Sequence, residues 1–151
     1  MTDPLVEPVE TEPVEIARRS AEAMLANDAA SKGLGMELEH VAPGESQVSM
    51  VVRADMLNGH GFAHGGMIFA LADSAFAYVC NGANHASVAA QASIVFLDKV
   101  QEGETLIAEA SEVARAGRAG VTRVAVSAGD GRKVAEFTGY SRTLGGPVVE
   151  V

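Results

Sequence analysis

Residues 58–66, Asn-Gly-His-Gly-Phe-Ala-His-Gly-Gly, hold four glycines in nine positions and run directly into residues 67–81, which are almost wholly apolar apart from Asp73, Ser74 and the Tyr78 hydroxyl. A glycine-rich entry followed by an apolar run of this length reads as a loop delivering a buried helix. At about 100° per residue, Gly66, Phe69, Ala70, Phe76, Ala77 and Cys80 fall within roughly 60° of Asp73, while Ile68, Leu71, Tyr78 and Val79 occupy the other faces. A helix apolar all round is expected to be wrapped by protein on every side. The one carboxylate in its middle is then costly to bury and needs a reason.

The remaining residues supply the wrapping. The chain has 151 residues, the size of one domain. Residues 1–12 carry two of the five prolines and four acids without periodicity, and read as a disordered acidic tail. Pro13 suits the first turn of a helix whose face, Ile16, Ala17, Met24 and Leu25, continues to about Asn27. A short turn over Ala30 to Gly33 follows. From Leu34 the period changes to two: Leu34, Met36 and Leu38, then the turn pair Pro43-Gly44, then Val48, Met50 and Val52, a hairpin.

Asn81-Gly82 closes the long helix. Beyond it the segments 88–97, 105–114, 121–127 and 133–142 all have strand character, with Asp130-Gly131 as a tight turn between the last two. The expected order is β-β-α-β-β-β: an α+β domain over residues 13–146, with an antiparallel sheet enclosing one long helix, and a short C-terminal tail over 147–151.

A net charge of −9 argues against nucleic acid and anionic membranes as partners. No apolar run is long enough for a membrane span, and the acidic, proline-bearing start is not a secretory signal. The single cysteine, Cys80, excludes a disulfide framework and points to a reducing cytoplasm. His60 and His64 lie in a glycine loop with no third ligand at recognisable spacing, so no metal site is expected. Nor do the glycines make a dinucleotide fingerprint, because their spacing is wrong and no parallel βαβ unit surrounds them.

The run Leu57-Asn58-Gly59-His60-Gly61 to His64-Gly65-Gly66, then Leu71-Ala72-Asp73-Ser74-Ala75-Phe76-Ala77-Tyr78, closely resembles the hotdog-fold acyl-CoA thioesterases of the phenylacetate-degradation type. The resemblance extends from Asn27-Asp28-Ala29 through Val95-Phe96-Leu97 to Ser141-Arg142-Thr143-Leu144-Gly145-Gly146. It implies a helix held in a curled antiparallel sheet, subunits paired through their sheets into a homo-oligomer, and an acyl-CoA substrate with no cofactor. It further implies Asp73 as nucleophile or general base, Gly65 as backbone donor to the thioester carbonyl, Asn58 beside the site orienting water or substrate, and His64 bracing the loop, with Gly66 next to it. Some relatives use a hydroxyl from the strand after the helix, for which Ser87 and Ser93 both qualify. Where relatives continue Phe-Leu with Arg-Pro-Gly this chain has Asp98-Lys99-Val100. Contact with the coenzyme phosphates then falls to Lys99, Arg115 and Arg118, with Arg132 and Arg142 as further cations.

The chemistry is consistent with this on its own terms. Thioester hydrolysis needs a base or nucleophile and a donor for the oxyanion; the thiolate leaves without a strong general acid. A helix N-terminus presents free N–H groups, and glycine lets a carbonyl approach them. A hotdog hydratase would show a different acid and histidine spacing, and a non-catalytic acyl-CoA binder gains nothing from a lone acid facing a polyanion. Gly65 and Asp73 are eight residues apart, about 12 Å along one helix, too far to meet at one carbonyl. The expected site is therefore shared between two subunits of a dimer; the resemblance implies that such dimers pair into a tetramer.

Overall fold

The structure, a computed structural model, describes residues 12–151. The tail expected over residues 1–12 falls outside these except for Glu12, the N-cap of α1. Helix α1 (Pro13–Asn27) has proline in its first turn, buries Ala17, Ser20 and Ala21, packs Met24 and Leu25 against the core, and leaves its opposite face to solvent. The expected turn after it is a short helix, α2 (Ala29–Gly33), capped by Asp28, whose side chain accepts the Ser31 N–H at 2.9 Å. Leu34 ends α2 and does not begin a strand, so the hairpin starts later than its alternation suggests.

Strands β1 (Glu37–Ala42) and β2 (Glu45–Val51) form that hairpin, with Gly44 in the left-handed region at φ 75°. After the glycine loop comes α3 (Gly65–Cys80). Four strands follow it, one more than the order β-β-α-β-β-β allows: β3 (Ser87–Phe96), β4 (Thr105–Ala116), β5 (Ala119–Ala128) and β6 (Lys133–Thr143). Each of the four segments with strand character becomes its own strand. β4 and β5 run further than their clean alternation, meeting at a two-residue turn over Gly117-Arg118.

All six strands join one antiparallel sheet in the order β1-β2-β4-β5-β6-β3. Its concave face presents Val48 and Met50, Leu106 and Ala108, Val124 and Val126, and Ala135 and Phe137 to the Ile68, Leu71, Ala72, Ala75, Phe76 and Val79 side of α3. The Phe137 ring meets Phe69 edge-on at 5.3 Å and Phe76 at 5.8 Å. Beside them the sheet must come very close to the helix: a Cβ on Gly139 would lie 2.8 Å from the Phe76 ring, so only glycine fits. Asn81 caps α3 and clamps β3 to its end, accepting the Ser87 N–H at 2.8 Å and donating to Ser87 O at 3.1 Å.

This is the hotdog arrangement, with one departure from the expected wrapping. Within the chain α3 is enclosed on three sides, and the stripe Phe69, Ala70, Asp73 and Ala77 is half-exposed. The sheet runs out on that side, since β3 is an edge strand with little of itself covered: Val95, Phe96 and Leu97 are 59%, 50% and 53% exposed. The C-terminal residues are tied down, with Asn84 Oδ1 accepting the Val148 and Val149 N–H groups at 2.9 Å.

Candidate active site

Everything at the head of α3 is set by the loop before it. Asn58 Oδ1 accepts the N–H of His60 at 2.9 Å and of Phe62 at 3.2 Å, and its own N–H donates to Phe62 O at 2.7 Å. That Asx-type turn, with Gly61 at φ 87°, folds the glycine run into a tight hairpin pinned to Val100 O through the Ala63 N–H. His64 then caps the helix: its backbone is extended and its Nδ1 accepts the Gly66 N–H at 2.9 Å. Its carbonyl accepts from Met67 and Ile68. The Gly65 N–H is left without a partner among the described residues.

A cleft of about 410 Å³ opens on this donor, lined among others by Asn58, Gly65, Ile68, Phe96, Leu97 and Lys99. Phe96 covers Gly65 so closely that a Cβ there would lie 3.0 Å from the ring. Lys99 Nζ stands 5.3 Å from the centre of the Phe62 ring. Phe62, Ile68, Phe96 and Leu97 do not stand out in the sequence as site residues. The signal for Phe96-Leu97 is an apolar pair at a strand end next to Asp98-Lys99, and only the fold shows which face it covers.

Asp73 is not in this cleft. It sits two turns further along α3, half-exposed on the uncovered stripe, without a cation or hydrogen-bond donor among the described residues to stabilise its charge. Burial, and then the negative charge of Asp28, push its carboxyl above the ordinary carboxylate value. Cys80, on the same face, is buried; its Sγ lies against Ala77 O and its thiol is pushed up to about 11 by burial, the state of a packing residue and not of a nucleophile.

The basic residues are scattered. Lys99 alone among them lines the Gly65 cleft. Arg115 pairs with Glu112 at 2.8 Å and borders an apolar pocket with Pro13, Ile16 and Val79. Arg118 and Arg142 line a pocket with Tyr140 near the opposite end of β3, where Arg142 pairs with Val88. Arg132 is held by Asp98, Glu104 and Asp130 at 3.1, 3.0 and 2.9 Å, so its charge is already spent within the chain. Of the two candidate hydroxyls, Ser87 Oγ donates to His85 O at 2.9 Å, whereas Ser93 is exposed opposite Thr138.

This fold, with a backbone donor at a helix head and a lone acid further along, is found again among known proteins. Residues 60–135 match the model of the Thioesterase superfamily. The acyl-coenzyme A thioesterase PaaI of Escherichia coli K12 is 40% identical over 132 residues, covering 87% of this chain and 94% of that one. The solved structure of E. coli PaaI, from the phenylacetic acid degradation operon, superposes with a TM-score of 0.88 over 90% of this chain and 99% of that one, at 39% identity. The TT0310 protein of Thermus thermophilus is 41% identical with a TM-score of 0.75, covering 78% and 98%. A hypothetical thioesterase of Streptococcus pneumoniae, solved with coenzyme A, is 27% identical with a TM-score of 0.72, covering 74% and 90%. The chain belongs to the thioesterase superfamily and is a thioesterase.

Proposed function

We propose that this enzyme hydrolyses acyl-CoA thioesters with aryl or medium-size acyl groups, phenylacetyl-CoA or a ring-hydroxylated form being the first to test, giving the free acid and CoA. The supporting observation is the unpartnered Gly65 N–H at the head of α3, opening on a cleft that also holds Asn58 and Lys99. A thioester carbonyl seated there receives a hydrogen bond that strengthens as the oxygen becomes an oxyanion. Asp73 either takes the proton of the water that adds to the thioester carbon, or adds itself to give a mixed anhydride that water then hydrolyses to the free acid and the restored carboxylate; on either route the C–S bond breaks and CoA leaves as the thiolate. Binding of coenzyme A by the streptococcal relative supports the substrate class.

Because Asp73 lies outside the Gly65 cleft on the same helix, the site is completed by a second copy of the chain. The exposed apolar edge of β3 and the half-exposed stripe of α3 are the surfaces such a copy covers, and two such dimers make the expected tetramer. Lys99, which lines the cleft, is the first cation proposed to meet the coenzyme phosphates, with Arg118 and Arg142 contributing from across the dimer. Incubation with a panel of acyl-CoAs and a thiol reagent tests the reading. Thiol release from aryl or medium-chain members is expected, and release from none of them would refute it.

A further inference from the structure

Asp28 caps α2, a role that needs only one of its oxygens. Oδ1 accepts the Ser31 N–H at 2.9 Å, and Oδ2 accepts the Ser31 hydroxyl at 2.6 Å. Ser31 is buried, and its Oγ also lies 2.8 Å from Ser74 Oγ. A hydroxyl has one proton, and that of Ser31 goes to the carboxylate, so Ser74 must be the donor in the second bond. The chain of bonds thus runs in one direction, from Ser74 to Ser31 to Asp28, and joins α2 to α3 at the residue next to Asp73. One turn further on the same face is Tyr78, 2% exposed, its hydroxyl pushed up to about 12 by burial and by the charge of Asp28, with the Ser31 hydroxyl acting against the rise. A carboxylate, two hydroxyls and a buried phenol are therefore gathered under the middle of α3, and thioester chemistry at the cleft uses none of them.

We infer that Asp28 is a positioning residue for the hydrolysis: the Ser31–Ser74 hydroxyl chain holds its carboxylate against α3 at the residue next to Asp73, the proposed base. This rests on Asp73 being the catalytic carboxylate proposed above. Beyond burial, Asp28 is the charged group that acts on Asp73, and it acts to disfavour the ionised form. Among the described residues of the sheet, Glu112 and Arg115 of β4 act on Cys80, two turns along the same face of α3, and neither acts on Asp73. A carboxylate with a raised proton affinity is a stronger base toward the attacking water.

The test is the pH profile of kcat/KM with phenylacetyl-CoA for the intact protein and for Asp28→Asn, Asp28→Glu and Ser74→Ala. Asparagine still caps α2, so the fold is retained while the charge is lost. Without that charge Asp73 ionises more readily, and the acid limb is expected to move to lower pH by about half a unit or more. Asp28→Glu is expected to bring the limb back toward that of the wild type. Ser74→Ala, which loosens Asp28 without removing it, moves the limb the same way by less. A limb that stays in place in both Asp28→Asn and Ser74→Ala, with only the plateau lowered, overturns the inference and leaves Asp28 a cap. Should Asp28→Asn fail to fold, Ser74→Ala decides alone by the same criterion. Asp73→Asn is run beside them: if it keeps wild-type activity, the proposed chemistry has failed, a result distinct from an unmoved limb.

Discussion

His64 Nδ1 accepts the Gly66 N–H at 2.9 Å, and this bond decides which donor at the head of α3 remains for a substrate. Three of the first four N–H groups of α3 are taken by His64, through its ring or its carbonyl, and Gly65 is left over. His64→Ala removes the cap acceptor, at a cost of about 1 kcal/mol or a melting temperature lower by roughly 2–4 °C. The freed Gly66 N–H then competes with Gly65 for the carbonyl, so kcat is expected to fall by more than KM rises. His64→Asn, which keeps an acceptor, should recover most of the stability. Unchanged melting and unchanged kcat in His64→Ala would remove His64 from the site.

Asp73→Asn is expected to keep the fold and lower kcat by at least ~10²-fold, the effect of losing a base or nucleophile. Hydrolysis within about tenfold of wild type would rule Asp73 out. Its folded-state pKa is raised from the ordinary 3.8, so the ionised form is the one folding disfavours. That penalty is absent below 3.8, grows as pH rises, and is complete above the raised value. Asp73→Asn should accordingly melt at a higher temperature than wild type near pH 7, with the difference vanishing toward about pH 3. Calorimetry across that range checks the sign.

Charge substitutions should divide by what each residue already holds. Lys99→Ala, at the cleft mouth, is expected to raise KM for an acyl-CoA about threefold or more with little change in kcat. Arg118→Ala and Arg142→Ala should do the same if the partner brings them to the phosphates. Arg132→Ala is expected to leave KM alone and lower stability instead, because it strands Asp98, Glu104 and Asp130 together. If none of Lys99, Arg118 and Arg142 shifts KM by even about twofold, the coenzyme is bound elsewhere.

The glycine loop and α3 are legible in the sequence because their signals are local: glycine where the chain turns tightly, and an apolar run too long for a strand. The same holds for the four strands after α3, although the Gly117-Arg118 turn is hidden by flanking alanines and arginine that carry no period. Leu34 misleads, since an apolar residue two before Met36 fits a strand as well as it fits the end of α2. The half-exposed stripe of α3 is not legible at all. Composition says the helix is apolar on every face, but which face the sheet fails to reach depends on where β3 ends. Phe96 over Gly65, and Ser31 bonded to Ser74 beside Asp73, are likewise contacts between residues about thirty or more positions apart, which no window of sequence contains.

The shared site can be tested through subunit exchange. Gly65 and Asp73 lie on one unbroken helix, eight residues and about 12 Å apart. A thioester carbon within bonding reach of an Asp73 oxygen, with its oxygen on the Gly65 N–H, spans only about 3 Å on either side. One chain cannot serve both ends, whereas in the proposed dimer two α3 helices running antiparallel across a two-fold axis would set Asp73 of one beside Gly65 and Asn58 of the other. Asp73→Ala and Asn58→Ala are each expected to be inactive alone. After reversible dissociation and mixing, a mixed dimer holds one site with both residues intact and one with neither. Random pairing makes about half the dimers mixed, each with one of two sites restored, so roughly a quarter of wild-type activity should return. If mixed dimers form, as native mass spectrometry would show, and no activity returns, Asn58 and Asp73 act within one chain and the two-subunit site is wrong.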